Sequence, residues 1–369
     1  MKKVLLVTHQ WDILCEIPKL FSKAGYEVHV LCPANNCAIA NSYYNVWIDS
    51  GETLETLFQR LYQLSLSGDY VRIVLGDDPL MWQIYRQPLN ELIHLLPIKN
   101  LEVLYMLGKT GFSEFCNKYN IPTPSYYVVQ EKSDISKAKE KIGFPLLIKP
   151  SYSNGGYGIT ICNDEENYNL AWSDKYFDTP FLVQEFLEGE LLSVEAIFKN
   201  GELVEYVTST KEGDGLGAST RRVYLEKSLF LTNILQNFGK ACKLDGFVSM
   251  SFIKCAENDY QLFEADPRPT AWIAIGQWFG ADFIQAIHIW LEDLPIPEIN
   301  HEAFKENAII VAEALPRHTS SLINQGRLVD ALLHLTDFDH TWRYLLDDHV
   351  SLENRLRKLH EAIKKAAGR

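Results

Sequence analysis

The segment LFEADPRP at residues 262–269 carries three charged residues at alternate positions: Glu264, Asp266 and Arg268. Glu264 and Asp266 are two positions apart, so on an extended strand both side chains lie on one face. Their carboxylates suit Mg²⁺, a hard cation that prefers oxygen ligands, and paired acids on a buried strand are costly without a cation. Arg268 has the same parity and is placed to hold a transferring phosphoryl or acyl group. The segment therefore predicts a metal and phosphate site at a strand end, in preference to a structural acid pair.

Two weaker motifs lie upstream. In FPLLIKP (144–150), Lys149 ends an apolar strand, and in SYSNGGYGI (151–159) the glycines let backbone N–H groups converge on an anion. In VQEFLEGE (183–190), a strand ends beside two acids, so its backbone is placed to bind an adenine while an acid binds ribose hydroxyls. Each has a structural alternative when taken alone: the first is an ordinary turn between strands, and the second is a strand end with solvated acids.

The composition excludes several classes of protein. With 369 residues, of which 47% are hydrophobic and 22% charged, the chain is typical of a globular protein of two or three domains. The net charge of −13 would repel a long nucleic acid, so no nucleic-acid partner is expected. No stretch approaches the roughly 18–20 apolar residues of a membrane span. The seven cysteines are scattered and the histidines show no metal-ligand spacing. We expect a cytoplasmic protein without a membrane association.

Residues 1–100 alternate short apolar runs with amphipathic stretches, which predicts an open parallel α/β sheet flanked by helices. The first strand is followed by THQW at 8–11 instead of the G-x-G-x-x-G fingerprint, so a dinucleotide site of that kind is not expected. Asp77 and Asp78 follow a later strand, at an edge where such sheets place ligands. A role in the turn and the helix cap is at least as good an interpretation of this pair.

The remaining chain divides into three further predicted units. Residues 101–125 have the pattern of a helix that ends at two prolines, after which strands dominate. KNGE at 199–202 predicts a hairpin turn with Asn-Gly at its centre, and a second hairpin is predicted at 257–259. The predicted units are a central one with the glycine-rich loop (101–180), one with the metal motif (181–300), and a mixed C-terminal extension (301–369).

Four pieces of the chain, in this order and at compatible spacing, closely resemble the ATP-grasp superfamily over roughly residues 101–285. The first piece is the predicted helix from Lys109 with its exit NIPTP at 120–124, and the other three are the motifs described above. The resemblance is to carboxylate–amine ligases and carbamoyl-phosphate-synthase-like members. It implies a mixed α/β and α+β fold, in which an N-terminal open parallel, Rossmann-like pre-ATP-grasp domain is followed by the ATP-grasp domains.

The resemblance also implies ATP and Mg²⁺ as cofactors, with Mn²⁺ as a substitute for the metal. Glu264 and Asp266 would bind the metal, and Arg268 would face the reacting phosphate. Two lysines would contact the ATP phosphates beneath the glycine-rich loop, the end of the next strand would hold the adenine, and a later acid would lie near the ribose. The nucleotide-binding residues implied in this way are Lys109, Lys149, Ser153, Asn154, Gly155, Gly156, Gly158, Glu185, Phe186, Leu187 and Glu190.

In the family, a substrate carboxylate attacks the γ-phosphate to give an acyl phosphate, and an amine then displaces phosphate. The resemblance therefore implies an ATP-dependent carboxylate–amine ligase that forms an amide or peptide-like bond and releases ADP and phosphate. Its expected partners are a small-molecule carboxylate and an amine, one of them an amino acid. An apolar stripe over residues 351–367 leaves room for a homodimer contact.

The sequence departs from the family pattern at two positions. Asp266 stands where the family usually has asparagine, which keeps an oxygen ligand and adds charge. The preceding strand usually carries a first metal-binding acid, but alignment backwards from Glu264 leads to Ser251. Two alternatives therefore remain open: a nucleotide-binding regulatory protein without turnover and, less favoured, an ATP-grasp phosphotransferase.

A further segment with chemical interest is KEGDGLGASTRR at 211–222, which combines glycines, hydroxyls and adjacent arginines. It is interpreted as a mobile loop that reaches the active site, where Arg222 or Arg221 clamps a substrate carboxylate or phosphate. A surface loop with solvated arginines is an equally good alternative. Trp272 and Trp278 either line an acceptor pocket or belong to the core, and the core is the commoner case.

Overall fold

The chain is described here by a computed structural model. The residues it describes are 1–9, 17–34, 43–86, 90–153, 156–172, 177–211, 222–225, 227–270, 272–273, 276, 279–301, 309–310, 322, 326–336, 360 and 364. These residues form three sheets flanked by helices, one sheet parallel and two antiparallel. The predicted combination of α/β and α+β architecture is therefore confirmed.

The N-terminal sheet has four parallel strands in the order β3-β2-β1-β4. Alternate residues of its first strand enter two different hydrophobic cores, with Leu5 in one and Val4 in the other. Because the sheet is covered on both faces, the strand is a continuous apolar run without polar alternation. The elements of this part are β1 (Lys3–Val7), α1 (Pro18–Lys23), β2 (Glu27–Cys32), β3 (Val46–Asp49), α2 (Leu54–Leu66), β4 (Tyr70–Leu75) and α3 (Asp78–Arg86).

The predicted single helix over 101–125 is wrong in detail. A 3₁₀ helix over Leu101–Leu107 is followed by α4 over Lys109–Lys118, and the chain is extended between them at Gly108. A Cβ on Gly108 would lie 2.8 Å from Ser151 Oγ, so glycine permits the close approach to the start of the glycine-rich segment, directly after the strand that carries Lys149. This break makes Lys109 the first residue of α4. A second 3₁₀ helix, Asn90–Leu95, precedes this segment.

A four-stranded antiparallel sheet follows, in the order β5-β8-β6-β7. One face packs in its own core through residues such as Ile148 and Val183, and alternation directs Lys149 and Gln184 to the other face. The predicted boundary at residue 180 falls at the start of β8, which pairs with β6 in this sheet. The elements are β5 (Tyr126–Val129), α5 (Asp134–Ile142), β6 (Leu146–Pro150), β7 (Thr160–Cys162), α6 (Glu165–Ala171) and β8 (Phe181–Glu185).

The third sheet has six antiparallel strands in the order β13-β12-β9-β10-β11-β14. Both predicted hairpin turns are confirmed: Asn200 and Gly201 have φ values of 51° and 91°, and Asn258 has a φ of 63°. The elements are β9 (Glu190–Lys199), β10 (Glu202–Lys211), β11 (Arg222–Leu225), α7 (Leu229–Cys242), β12 (Gly246–Ala256), β13 (Asp259–Asp266), α8 (Phe283–Leu291), β14 (Ile309–Ile310) and α9 (Leu328–Thr336).

The N-terminal and six-stranded sheets share their hydrophobic cores. One core joins Leu5 of β1 to Val248 of β12, and the other joins Val4 of β1 to Trp290 of α8. This packing holds the carboxyl end of β4 close to the end of β13, where the candidate site lies. Within the described part of the chain, no helix is long and apolar enough to cross a membrane. The predicted helix over 351–367 lies outside the described residues except at positions 360 and 364.

Candidate functional site

The two acids of the metal motif lie at the end of β13. Glu264 pairs in register with Ser251 of β12, and Asp266 pairs with Ser249. The position directly opposite Glu264 on the neighbouring strand is therefore occupied by Ser251, the residue at which the sequence comparison with the family pattern lacks an acid. Glu264 Oε1 lies 3.3 Å from Lys109 Nζ, which reaches β13 from the first turn of α4.

Lys149 lies beside this motif, at the end of β6. Its side chain is buried, with 5% of the residue exposed, and Nζ donates to Gln184 Oε1 over 2.7 Å. Nζ also lies 5.1 Å from the ring centroid of Phe263, a cation–π distance. Burial lowers the pKa of Lys149 to about 8, although the nearby Glu264 carboxylate opposes the shift. An anionic ligand would stabilise the charged form of this lysine.

Two buried polar atoms near the lysines have no hydrogen-bond partner among the described residues: Ser153 Oγ and Gln184 Nε2. The Gln184 amide cannot be turned round, because the Lys149 ammonium is only a donor and must face the carbonyl oxygen. Lys109 Nζ also donates to the Ser153 carbonyl oxygen. Orphaned donors beside two lysines are compatible with a bound polyphosphate and base.

The segment implied to hold the adenine follows β8 directly. Glu185 N donates to the Ser125 carbonyl over 2.9 Å and Phe186 N to the Pro145 carbonyl over 3.2 Å, which fixes the backbone at this point. Leu187 continues from it, and Glu190 begins β9 opposite Lys254. Among the described contacts, none joins Glu190 to Lys109, to Lys149 or to the metal motif. The role of Glu190 at a ribose therefore stays a prediction.

The glycine-rich loop is partly described. Gly156 and Gly158 have φ values of 80° and 76°, a region that other residues rarely adopt. A Cβ on Gly158 would lie 2.9 Å from Pro150 Cγ, so the loop returns close to the end of β6. Asn154 and Gly155 lie outside the described residues.

Of the predicted arginine clamp and the two tryptophans, the structure describes the side chain of Trp272 alone. The backbone of Arg222 begins β11 opposite Lys211, but its side chain lies outside the described residues, as does Arg221. The clamp therefore stays a prediction. Trp272 is buried in a hydrophobic core cluster, in agreement with the core alternative, and Trp278 lies outside the described residues.

A cleft brings the metal motif together with residues that belong to none of the sequence motifs. Its polar wall includes Lys109, Glu264 and Asp266. Its other wall comes from α3 and the 3₁₀ helix before α4. The lining residues are Asp78, Met81, Trp82, Met106, Leu107, Gly108, Lys109, Phe112, Ser153, Phe263, Glu264, Ala265, Asp266, Pro267 and Arg268.

Arg268 faces this cleft from between two acids. Nε and Nη2 donate to the two oxygens of Asp78 over 2.6 and 2.8 Å, and Nη2 also donates to Asp266 Oδ2 over 2.8 Å. Burial tends to lower the pKa of Arg268, but Asp266 and Asp78 outweigh it and raise this pKa above its ordinary value. Burial also raises the pKa of Asp266, with Arg268 opposing and Asp78 adding to the shift. Several acids thus lie close together, which favours a cation at this place.

One family model matches part of this chain. Residues 114–223 match the family model of the ATP-grasp domain. Residues 114–223 therefore form an ATP-grasp domain. The match covers the glycine-rich loop, β8 and the hairpin strands, whereas the metal motif of this chain lies beyond it.

Curated relatives of this chain are distant and longer. It is 27% identical over 168 residues to the carbamoyl phosphate synthase large chain of Agathobacter rectalis, which covers 42% of the chain and 16% of the relative. It is 26% identical over 246 residues to the phosphoribosylamine–glycine ligase of Fusobacterium nucleatum, which covers 58% of the chain and 57% of the relative. The chain therefore spans less than two thirds of the length of these relatives.

Among solved structures, the fold is similar to that of the biotin carboxylase domain of 2-oxoglutarate carboxylase from Hydrogenobacter thermophilus. The TM-score is 0.65 at 17% sequence identity, and the match covers 84% of this chain and 73% of that one. That structure is a dimer in complex with MgADP, ADP and bicarbonate. At this identity the likeness confirms the ATP-grasp fold alone.

Proposed function

We propose that this chain is an ATP- and Mg²⁺-dependent ligase that activates a substrate carboxylate as an acyl phosphate and transfers the acyl group to an amine. The observation that carries the proposal is the convergence of a lysine and an acid from separate elements, Lys109 and Glu264, at 3.3 Å in one cleft. Lys149 approaches the same motif through Phe263, the neighbour of Glu264. Two cations beside paired carboxylates form a set of groups suited to a metal-bound polyphosphate.

The residues present fit a magnesium ion. Glu264 and Asp266 offer carboxylate oxygens, and within the described residues no three His, Cys, Asp or Glu side chains are grouped to hold a metal alone. Mg²⁺ commonly binds through one or two carboxylates and completes its shell with phosphate oxygens and water. When bound, it would neutralise charge on the transferred phosphoryl group.

Each part of the chain has a task in the proposed reaction. Lys109 and Lys149 bind the nucleotide phosphates, and the backbone of residues 185–187 orients the base. The glycine-rich loop excludes water from the acyl phosphate, which would otherwise hydrolyse. The carboxylate substrate and the amine enter from the side of α3, which lies outside the matched ATP-grasp domain.

The cleft also supports small-molecule substrates. Met81, Trp82 and Met106 give it apolar walls next to charged groups, as in pockets for small organic ligands. An amino acid as one substrate is supported by the relative named phosphoribosylamine–glycine ligase. A homodimer is supported by the dimeric state of the structurally similar biotin carboxylase domain.

The test is separation of the nucleotide products after incubation with Mg-ATP and pooled amino acids and small carboxylic acids. ADP formed only in the presence of the pool is the expected result, and division of the pool then identifies the acid. AMP as the product would contradict the acyl-phosphate mechanism. Lys149→Met should abolish the ADP, whereas Lys137→Met, at an exposed lysine of α5, should not.

A nucleotide-binding regulatory protein without turnover is a second candidate, and one observation favours it. Ser251 lies in register opposite Glu264, where the family usually has an acid. In that case ADP would bind in the presence of Mg²⁺, but ATP would persist with every substrate pool. Ser251→Glu would then be expected to introduce ATP consumption.

A further inference from the structure

Asp78, the first residue of α3, forms a buried ion pair with Arg268 across the junction between the N-terminal and six-stranded sheets. Both oxygens of Asp78 accept from the guanidinium, over 2.6 and 2.8 Å. The Nη2 atom that binds Asp78 also donates to Asp266 over 2.8 Å. One guanidinium therefore lies between an acid of the metal motif and an acid from a distant part of the chain.

The charge balance of these three side chains affects the metal motif. Without Asp78, Arg268 and Asp266 would form a neutral pair, and a cation would compete with the full guanidinium charge for the Asp266 carboxylate. With Asp78 present, two carboxylates share one guanidinium. The three side chains of Asp78, Asp266 and Arg268 then carry a net charge of one negative unit, which attracts a cation to Asp266. The Asp266 side chain is 30% exposed and lines the cleft.

The motif also lacks one acid on its own strands, because Ser251 occupies the position opposite Glu264. We propose that Asp78 replaces this missing charge: by engaging Arg268, it leaves the Asp266 carboxylate available to a divalent cation. Asp78 is then a positioning residue that acts through Arg268. This inference rests on the proposed function in one respect, namely that a nucleotide and Mg²⁺ bind in this cleft.

Glu195 is a second acid near the metal motif that could supply the missing charge in place of Asp78. Glu195 of β9 is buried and pairs with Ser249, which pairs with Asp266 on its other side. Its Oε1 accepts from Ser249 Oγ over 3.3 Å. Asp78 binds Arg268, which also binds Asp266, whereas the described hydrogen bond of Glu195 is with the intervening serine. We therefore assign the role to Asp78 and use Glu195 as a comparison.

The experiment is calorimetric titration of the full chain with ADP, in the presence and in the absence of Mg²⁺. Asp78→Asn should weaken ADP binding by about tenfold with Mg²⁺ and should leave binding without Mg²⁺ nearly unchanged. Asp77→Asn is the matched control, because Asp77 is an adjacent buried acid that binds Thr8 and His9. It should keep the Mg²⁺ dependence of the wild type.

A rescue separates charge replacement from a purely structural role. Adding Ser251→Glu to Asp78→Asn should recover most of the lost Mg²⁺-dependent affinity. Ser251→Glu alone leaves the ion pair intact and should raise the Mg²⁺-dependent affinity of a chain that folds normally. Circular dichroism and the unfolding temperature check the fold of every variant.

Four results would overturn the inference. Two concern Asp78→Asn: an equal loss of ADP affinity with and without Mg²⁺, or no loss of ADP affinity at all. The other two are no gain of Mg²⁺-dependent ADP affinity from Ser251→Glu, and a Mg²⁺-specific loss of ADP affinity in Glu195→Gln that Asp78→Asn does not show. If the wild type binds no ADP under any condition, the proposed function fails as well. If the wild type binds ADP with Mg²⁺ and Asp78→Asn binds it equally well, only the inference fails.

Discussion

The Lys149 ammonium donates to Gln184 Oε1 over 2.7 Å, and this bond links the adjacent strands β6 and β8 beneath Phe263. Gln184 is only 1% exposed, so the bond forms away from water. It fixes the direction of the lysine before any ligand arrives. A preoriented cation loses less conformational entropy on binding a phosphate than a free lysine does.

Replacement of Gln184 tests this relationship. Gln184→Leu should destabilise the fold by about 1–3 kcal/mol, because the buried Lys149 ammonium loses its acceptor. Gln184→Met keeps the length without the amide and should behave in the same way, whereas Gln130→Met, at an exposed position after β5, should have little effect. Urea denaturation gives the free energy of unfolding. Equal stability of Gln184→Leu and the wild type would show that the bond contributes nothing.

The pH dependence of nucleotide binding follows from the lowered pKa of Lys149, which is about 8. Below this pH the Lys149 side chain of the free protein is already charged, and above it the neutral amine must take up a proton when phosphate binds. ADP affinity should therefore fall as pH rises above about 8, by up to tenfold per pH unit. Lys149→Arg stays charged throughout and should abolish this fall. Calorimetry from neutral to alkaline pH measures both, and a flat wild-type profile would contradict the assignment.

Glu264→Gln tests the metal motif. The substitution keeps the shape of the side chain and removes its charge, and the side chain is 35% exposed, so the unfolding temperature should change little. ATP consumption should fall by at least about a hundredfold, in the range seen when a group that stabilises transition-state charge is removed. Glu257→Gln, in the turn between β12 and β13, is the control and should keep full activity. Activity retained by Glu264→Gln would place the metal elsewhere.

Gly111→Ala tests the packing that positions Lys109. Alanine normally stabilises a helix interior relative to glycine, by roughly 0.5–1 kcal/mol. Here an added Cβ would overlap the Tyr105 carbonyl oxygen of the preceding 3₁₀ helix. We therefore expect a loss of stability of about 1–3 kcal/mol, because backbone cannot move aside as a side chain can. A gain in stability in thermal or urea unfolding would contradict this packing.

Local sequence patterns predicted much of this fold. The Asn200-Gly201 turn, the covered strands of the N-terminal sheet and the strand that carries Lys149 near its end were all predicted from propensity and periodicity. The break at Gly108 was not, because its cause is the close approach of Ser151, which is remote in sequence.

In the candidate site, too, features set by local sequence could be predicted, whereas contacts between residues remote in sequence could not. Parity along β13 predicted that Glu264 and Asp266 share a face, and comparison with the family pattern predicted a missing acid near Ser251; the structure adds that Ser251 pairs with Glu264. The ion pair between Asp78 and Arg268 could not be predicted, because its partners are 190 residues apart and meet only when two sheets share a core. One signal was present: Asp78 follows a parallel strand at its carboxyl end, where α/β sheets place functional groups.

The most direct measurement of acyl-phosphate formation is an isotope experiment that detects whether an oxygen atom of the substrate carboxylate is transferred to phosphate. Amino acids and small carboxylic acids labelled with ¹⁸O in the carboxylate are incubated with the protein and Mg-ATP, and the released phosphate is analysed by mass. An acyl phosphate transfers one substrate oxygen to phosphate when the amine attacks the acyl carbon. ADP together with ¹⁸O-labelled phosphate is the expected result. ADP with unlabelled phosphate, or AMP, would contradict it.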